Sequence, residues 1–178
     1  MLYSGKGDDG KTTTFGCCEQ QRISKSSEVP EALGALDELN AFLGFVKMRA
    51  AGDGLTASIL RDAQETLFII QAEIAGADKK VEASAVQDIE AIVQDIEKEI
   101  APLKGFSIAG GTELSALLDV ARAGARRAER RLIAMDDTGA HSLSPNTKAY
   151  MNRLSSLLFA LARLANHHAG VAEENPRY

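Results

Sequence analysis

The first residues of the chain combine glycines with side chains that bind phosphate. Residues 5–12 read G-K-G-D-D-G-K-T and match the G-x-x-x-x-G-K-[ST] phosphate-loop pattern. A true phosphate loop follows a buried strand and opens a helix, and only residues 1–4 precede this segment. Glycines let backbone amides converge on phosphate oxygens, and lysine and threonine side chains add donors. The segment therefore predicts a phosphate site of another kind, with an exposed Gly-rich head as the alternative.

A second group of charged residues shares one face of a predicted helix. A spacing of 0, 4, 7 and 8 residues places four side chains together: Arg122, Arg126, Glu129 and Arg130. Alanines one position away indicate that this face lies at the edge of the core. Several guanidinium groups so close together favour a bound polyanion, and a solvated basic face is the alternative.

Two further polar residues occupy similar boundary positions on other predicted helices. Asp37 lies beside apolar residues of the first helix, and we expect its carboxylate to pair with an arginine. Asn152 precedes Arg153 on the last helix, where an amide can recognise ribose, base or phosphate. Each of these two residues is also consistent with an ordinary surface position.

Two other kinds of catalytic site lack the residues they need. Di-iron bundles use Glu-x-x-His pairs, and none of the three histidines has a glutamate three positions before it: His141, His167 and His168. Cys17 and Cys18 are adjacent, lack zinc-ligand spacing and have no identifiable base nearby. We therefore predict no metal site and interpret the two cysteines as free thiols.

The composition is that of an ordinary globular domain. The chain has 178 residues, of which 45% are hydrophobic and 25% charged. Its formal net charge of -5 disfavours nonspecific binding to nucleic acid or to an anionic membrane. No apolar run reaches the roughly 18 residues of a membrane span, and the start lacks a signal-peptide layout. We therefore expect a cytoplasmic protein.

Apolar residues recur with the helical period along most of the chain. Breaks in this pattern predict five helices, at residues 30–51, from the break at 52–54 to about 76, from 84 to before 102, from 112 to about 136, and 144–170. Thr112 and Ser144 are the expected N-caps of the last two. No segment alternates like a strand, so the predicted fold class is an all-α five-helix bundle. We expect one domain over 1–178, divided into a head (1–29), a bundle (30–170) and a tail (171–178).

Five segments, taken in order, carry a resemblance to a known family. They are residues 3–10, 31–40, 106–112, 126–131 and 152–155. Together they resemble the PduO-type ATP:cob(I)alamin adenosyltransferases, also called corrinoid adenosyltransferases, over nearly the whole chain. The chain departs from the family pattern at Lys6, where threonine is common, at Ala109, where proline is usual, and at Ser156, where aspartate is common. Because the family does not require lysine at position 11, we interpret the phosphate-loop match as accidental and exclude Lys11 from the ligands.

The resemblance implies a homotrimer of five-helix bundles with active sites between subunits. Asp37 and Arg122 would form a salt bridge across the interface and shape the corrin pocket. Phe106 would cover the lower face of the corrin and exclude its dimethylbenzimidazole ligand. The implied ATP-binding residues are Ser4, Gly5, Lys6, Gly7, Thr12, Lys25, Arg126, Arg127, Glu129, Arg130 and Asn152.

The implied activity is that of an enzyme that transfers an alkyl group. Co(I) of cob(I)alamin would attack C5′ of ATP, giving adenosylcobalamin and triphosphate, with arginines and Mg²⁺ neutralising the departing polyphosphate. The implied partners are a flavoprotein reductase that supplies Co(I) and an adenosylcobalamin-dependent enzyme. The alternatives are a non-catalytic ATP or cobalamin sensor, a cobalamin carrier, and a helical scaffold that binds a protein partner.

Overall fold

A computed structural model of the protein describes residues 3–14, 22–103 and 105–178. Five helices follow one another, α1 (Glu28–Arg49), α2 (Gly54–Ile74), α3 (Ala83–Glu99), α4 (Glu113–Asp137) and α5 (Pro145–His168). The predicted all-α five-helix bundle is confirmed. Within the described ranges, none of the helices is long and apolar enough to span a membrane. The cytoplasmic location stays a prediction, and Cys17 and Cys18 lie outside the described residues.

The two predicted helix caps are confirmed. The Thr112 hydroxyl accepts a hydrogen bond from the Ser115 amide at 3.1 Å. The Ser144 hydroxyl accepts from the Thr147 amide at 3.2 Å, and Pro145 occupies the first turn of α5. These side chains satisfy backbone donors that have no partner within the helix, which fixes where α4 and α5 begin.

Two features of the first thirty residues differ from the prediction. Helix α1 begins at Glu28, two residues before Pro30, because a proline in the first turn has no intrahelical donor to lose. A short antiparallel ribbon, β1 (Lys11–Thr12) and β2 (Ile23–Ser24), precedes α1. Strands of two residues are too short for alternation to be visible in a sequence.

Helix α4 connects the two halves of the bundle. It packs against α1 and α5, while α5 also contacts α3 and α1 also contacts α2. Alanines form much of its buried stripe, whose apolar members are Leu118, Ala121, Ala125, Ala128, Leu132 and Met135. Because alanine occupies little volume, neighbouring helices approach closely, and arginines one position away emerge at the seams between helices.

A buried carboxylate fixes the start of α5. Glu73 on α2 is only 4% exposed, and it accepts hydrogen bonds from the Ser144 amide at 2.9 Å and the Thr147 hydroxyl at 2.5 Å. A negative charge at a helix N-terminus also interacts favourably with the helix dipole. Glu73 thereby holds α5, which carries several candidate site residues, in a defined position against α2.

Candidate functional site

The N-terminal head surrounds a basic cavity of about 610 Å³. The residues that line it are Ser4, Lys6, Gly7, Lys11, Thr12, Thr13, Arg22 and Lys25. Four of these side chains are cations, and the cavity is not lined by any carboxylate of the described residues. Of the six predicted ATP-binding residues of the head, only Gly5 does not line the cavity. Such a concentration of positive charge suits a polyanion such as a triphosphate.

Arg22, which the sequence did not single out, cross-links the head. Its guanidinium donates to both carboxylate oxygens of Asp9, at 2.8 and 2.9 Å, and to the carbonyl of Lys11 at 2.9 Å. It also donates to the carbonyl of Lys6. The hydrogen bond from Arg22, helped by the Lys11 amide, lowers the pKa of Asp9 below its ordinary value. Arg22 and Asp9 are 13 residues apart, and no periodic pattern connects them.

Lys25 closes the head from the other side. Its Nζ donates to the carbonyl of Gly7 at 2.8 Å, and a Cβ at position 7 would lie 2.7 Å from that nitrogen. Glycine at this position therefore leaves room for the lysine. Lys11 and Thr12 lie in β1 and not at a helix start, so the segment lacks the context of a true phosphate loop. Lys11 nevertheless lines the cavity.

A second cavity, of about 350 Å³, opens between α4, α5 and the loop that joins α3 to α4. Its lining consists of Leu103, Gly105, Phe106, Ser107, Arg122, Arg126, Ser155, Ser156 and Phe159. Phe106 is 79% exposed, and Leu103 and Ile108 of the same loop are also exposed. A cavity with an apolar rim and two guanidinium groups suits a ligand that combines apolar surface with negative charge.

Asp119 connects this loop to Arg122. One carboxylate oxygen accepts from the Arg122 Nε at 3.2 Å, and the other accepts from the Gly110 amide at 3.2 Å. The Arg122 guanidinium also lies 5.8 Å from the centre of the Phe159 ring, within the range of a cation–π contact. The sequence prediction missed Asp119, although its spacing of three residues from Arg122 on a helix was a readable signal.

The glycine pair at 110–111 allows the loop to contact α5. Asn166 donates to the carbonyl of Gly110 at 2.8 Å and accepts from the amide of Thr112 at 3.0 Å. Gly111 has φ +115°, and a Cβ there would lie 2.4 Å from the Asn166 side-chain oxygen. Only glycine fits this backbone conformation and this close approach.

The remaining predicted ATP-binding residues of α4 and α5 do not share one site within the chain. The Glu129 carboxylate accepts a hydrogen bond from the Asn152 side-chain amide at 3.2 Å, across the contact between the two helices. Arg130 donates to the carbonyl of Arg126 at 3.1 Å. Arg127 points toward α1, so the single chain does not bring it into the cavity that Arg126 lines.

Asp37 and Arg122 do not meet within one chain. Asp37 is exposed on α1, and its carboxylate makes no hydrogen bond or ion pair with any residue that the structure describes. Two other acids of α1 do pair with arginines of α4: Glu38 lies 2.7 Å from Arg127, and Glu31 lies 3.6 Å from Arg131. Among the residues that the structure describes, Asp37 therefore lacks the expected arginine partner. A salt bridge to a second copy stays a prediction.

The described part of the chain contains no group of three His, Cys, Asp or Glu side chains arranged to hold a metal ion. The glycine-rich segment at residues 5–12 has two acids, Asp8 and Asp9, and Asp9 is already paired with Arg22.

Comparison with models of protein families identifies the family of this chain. The model of the cobalamin adenosyltransferase family matches residues 2–165. This chain belongs to that family. The match includes both cavities, the loop that carries Phe106 and all but the last turn of α5.

Individual members of the family align with nearly the whole chain. A corrinoid adenosyltransferase from Citrobacter freundii is 38% identical over 170 residues, which are 92% of this chain and 93% of that protein. The corrinoid adenosyltransferase PduO of the same organism is 34% identical over 94% of this chain, which spans only 50% of that protein.

A solved structure of a family member has nearly the same fold. It is a variant of the PduO-type ATP:corrinoid adenosyltransferase from Lactobacillus reuteri, complexed with cobalamin and ATP. The TM-score is 0.91 at 26% identity, with 99% of this chain and 97% of that chain covered. These comparisons confirm the predicted family and the predicted fold class.

Proposed function

We propose that this member of the family transfers the 5′-deoxyadenosyl group of ATP to the cobalt of cob(I)alamin, which forms adenosylcobalamin and releases triphosphate. The observation that carries the proposal is the cavity shared by Phe106, Arg122 and Arg126, which places an aromatic ring beside two positive charges. The family match and the basic head cavity support the same reaction.

In this proposal the head binds the triphosphate of ATP. The contacts come from Ser4, Gly5, Lys6, Gly7, Thr12 and Lys25, and from Arg126, Arg127, Glu129, Arg130 and Asn152 of a neighbouring subunit. The linings of the head cavity and of the Phe106 cavity have no residue in common, which supports a site assembled from two copies. We propose the homotrimer that the resemblance implies. Each chain would be one domain made of the head (1–29), the bundle (30–170) and the tail (171–178).

Mg²⁺ would enter with the triphosphate. Asp8 supplies a carboxylate in the head that makes no hydrogen bond or ion pair with another described residue. One carboxylate together with phosphate oxygens and water is a common environment for Mg²⁺. Asp8 does not line the head cavity, so it would hold the ion beside the cavity, together with the phosphate oxygens. When bound, Mg²⁺ would neutralise charge on the leaving triphosphate.

The chemistry requires positioning and charge stabilisation but no general base. Co(I) is the nucleophile, the bond from cobalt to C5′ forms, and the bond from C5′ to the triphosphate oxygen breaks. Arginines held in place before the reaction stabilise the departing charge without reorganising. Arg126 is the guanidinium that lines the cavity without a side-chain partner among the described residues.

Phe106 and Arg122 would act on the corrin. An exposed aromatic ring at the mouth of the cavity can cover the lower face of the macrocycle and keep the axial ligand away, which makes Co(II) easier to reduce. Asp119 orients Arg122 within the chain, and we propose that Asp37 of the partner subunit approaches the same guanidinium. A flavoprotein reductase would supply Co(I) in the cytoplasm, and an adenosylcobalamin-dependent enzyme would use the product.

Anaerobic mixing of the purified protein with ATP, Mg²⁺ and chemically reduced cob(I)alamin tests the proposal. We expect the visible spectrum to show loss of Co(I) and growth of light-sensitive adenosylcobalamin, with one triphosphate released per product. Tight ATP binding without product would replace the proposal with a sensor or carrier. Absence of both ATP binding and product would favour the helical scaffold.

A further inference from the structure

The C-terminal tail at residues 171–178 returns from the end of α5 to the loop that carries Phe106. Two hydrogen bonds join the segments: the Ile108 amide donates to the carbonyl of Glu174 at 2.8 Å, and the Asn175 side-chain amide donates to the carbonyl of Phe106 at 2.7 Å. Among the described residues, these are the only hydrogen bonds made by residues 105–108. The tail therefore holds the backbone at Phe106 and directly after it.

Arg163 anchors the tail to the bundle. Its side chain is only 12% exposed and forms an ion pair with the carboxylate of Glu173. The same guanidinium donates to the carbonyl of Ala101, at the start of the loop, at 2.7 Å. Charge-assisted bonds to a largely buried arginine are stronger than ordinary surface contacts. One side chain of α5 therefore ties together the tail and the beginning of the loop.

The anchor also reaches the wall of the Phe106 cavity. The Arg163 guanidinium lies 6.0 Å from the centre of the Phe159 ring, and Arg122 lies 5.8 Å from the same ring. Phe159 lines the cavity together with Phe106. The tail, its anchor and the cavity thus form a continuous set of contacts.

We propose that the tail positions Phe106 for the reaction and that Asn175 is the positioning residue. The inference rests on the role given to Phe106 in the proposed function. Phe106 is 79% exposed, so packing of its ring does not hold it in place. Bonds to the backbone at 106 and 108 order the loop before the corrin arrives, which leaves less conformational entropy to lose on binding.

A comparison of two neighbouring substitutions tests this role. Asn175→Ala removes the bond to Phe106, whereas Glu174→Ala is the matched control, because Glu174 contacts the loop through its carbonyl and its side chain makes no hydrogen bond with a described residue. We expect Asn175→Ala to speed amide hydrogen exchange at residues 105–111 by roughly five-fold, the effect of one hydrogen bond. Glu174→Ala should leave exchange unchanged.

Turnover provides the second readout. Asn175→Ala should slow adenosylation that starts from Co(II) by roughly five-fold, leave turnover from prepared Co(I) within about two-fold, and leave the Kd of ATP unchanged. When Asn175→Ala is added to Phe106→Ala, it should cause no further loss of turnover from Co(II), because Asn175 acts through Phe106. Additive losses, or an Asn175→Ala protein that behaves like Glu174→Ala in both assays, would overturn the inference.

Failure of the proposed function would look different. A wild-type protein that makes no product from Co(I) refutes the adenosyltransferase, while the exchange measurement still decides whether Asn175 holds the loop.

Discussion

Arg122 and Asp119 form an ion pair one turn apart on α4, with 3.2 Å between Nε and Oδ1. The other oxygen of Asp119 accepts from the Gly110 amide, so one carboxylate fixes both an arginine of the candidate site and the end of the Phe106 loop. The orientation of Arg122 and the position of the loop are therefore coupled within a single chain.

We expect Asp119→Ala to lower the free energy of unfolding by about 1–3 kcal/mol, because the partly buried Gly110 amide loses its acceptor and Arg122 loses its ion-pair partner. The same change should raise the KM for cob(I)alamin and leave the Kd of ATP unchanged. Chemical denaturation and steady-state kinetics measure these effects. A substitution at Asp62, an acid that makes no side-chain ion pair with a described residue, serves as the control. Unchanged stability and unchanged corrinoid KM would contradict the coupling.

Phe106→Ala should reduce turnover from Co(II) by at least about ten-fold, which corresponds to about 1.4 kcal/mol in the barrier, because the axial ligand can then return to the cobalt. Turnover from chemically prepared Co(I) should fall much less. The matched control is Ile108→Ala, which removes an exposed apolar side chain of the same loop that does not line the cavity. Equal losses from Co(II) and Co(I) would refute the role of Phe106.

Arg126→Ala should mainly weaken ATP binding, with the Kd rising about ten-fold, since one guanidinium contact to a phosphate is lost. Isothermal titration calorimetry with ATP and Mg²⁺ measures the change. Arg131→Ala is the control on the same helix, because Arg131 pairs with Glu31 of α1 across 3.6 Å. If ATP affinity is the same in both variants, Arg126 does not belong to the ATP site.

Asp37→Asn should leave the fold of the chain intact, with the free energy of unfolding changed by less than about 0.5 kcal/mol, because Asp37 has no partner among the described residues. It should raise the KM for cob(I)alamin and weaken assembly, which light scattering after size exclusion can follow. Glu38→Gln is the comparison, since Glu38 is paired with Arg127 inside the chain. Unchanged assembly together with unchanged corrinoid KM would rule out the proposed interface.

Gly111→Ala should destabilise the protein by about 1–3 kcal/mol or more, because the backbone has φ +115° and the new Cβ would contact the Asn166 side chain at 2.4 Å. Thermal denaturation provides the measurement. Gly52→Ala, at a position with no atom within 4 Å of a new Cβ, is the control. Equal melting temperatures for the two variants would show that the loop relaxes around position 111.

Much of the architecture was predictable because its signals are local. Helix caps such as Thr112 and Ser144 act within three residues, and the apolar period of each helix repeats every turn. The basic face of α4 was also visible, since residues four apart on a helix are neighbours wherever the helix lies. The spacing of Arg122 and Arg126 therefore predicted two guanidinium groups on one side of α4, and both line the same cavity.

The pairings of the head were not predictable in the same way. Arg22 reaches Asp9 and two carbonyl groups across a segment without helical or strand periodicity, and the two-residue ribbon that aligns them is too short to leave a pattern. Asp37 and Glu38 illustrate a second limit. Both are exposed acids of α1 that lie beside its buried face. Only the relative rotation of α1 and α4 decides that Glu38 pairs with Arg127.

The sequence by itself determined five helices, the N-caps of α4 and α5, a basic face on α4 and a glycine-rich head, because these properties depend on neighbours within a turn or two. Only the tertiary structure decided that Asp119 joins Gly110 to Arg122, and that the tail meets the Phe106 loop 69 residues earlier through Asn175. Such contacts depend on how helices and loops are brought together in space, and a carbonyl or amide that any residue could supply leaves no trace in the sequence.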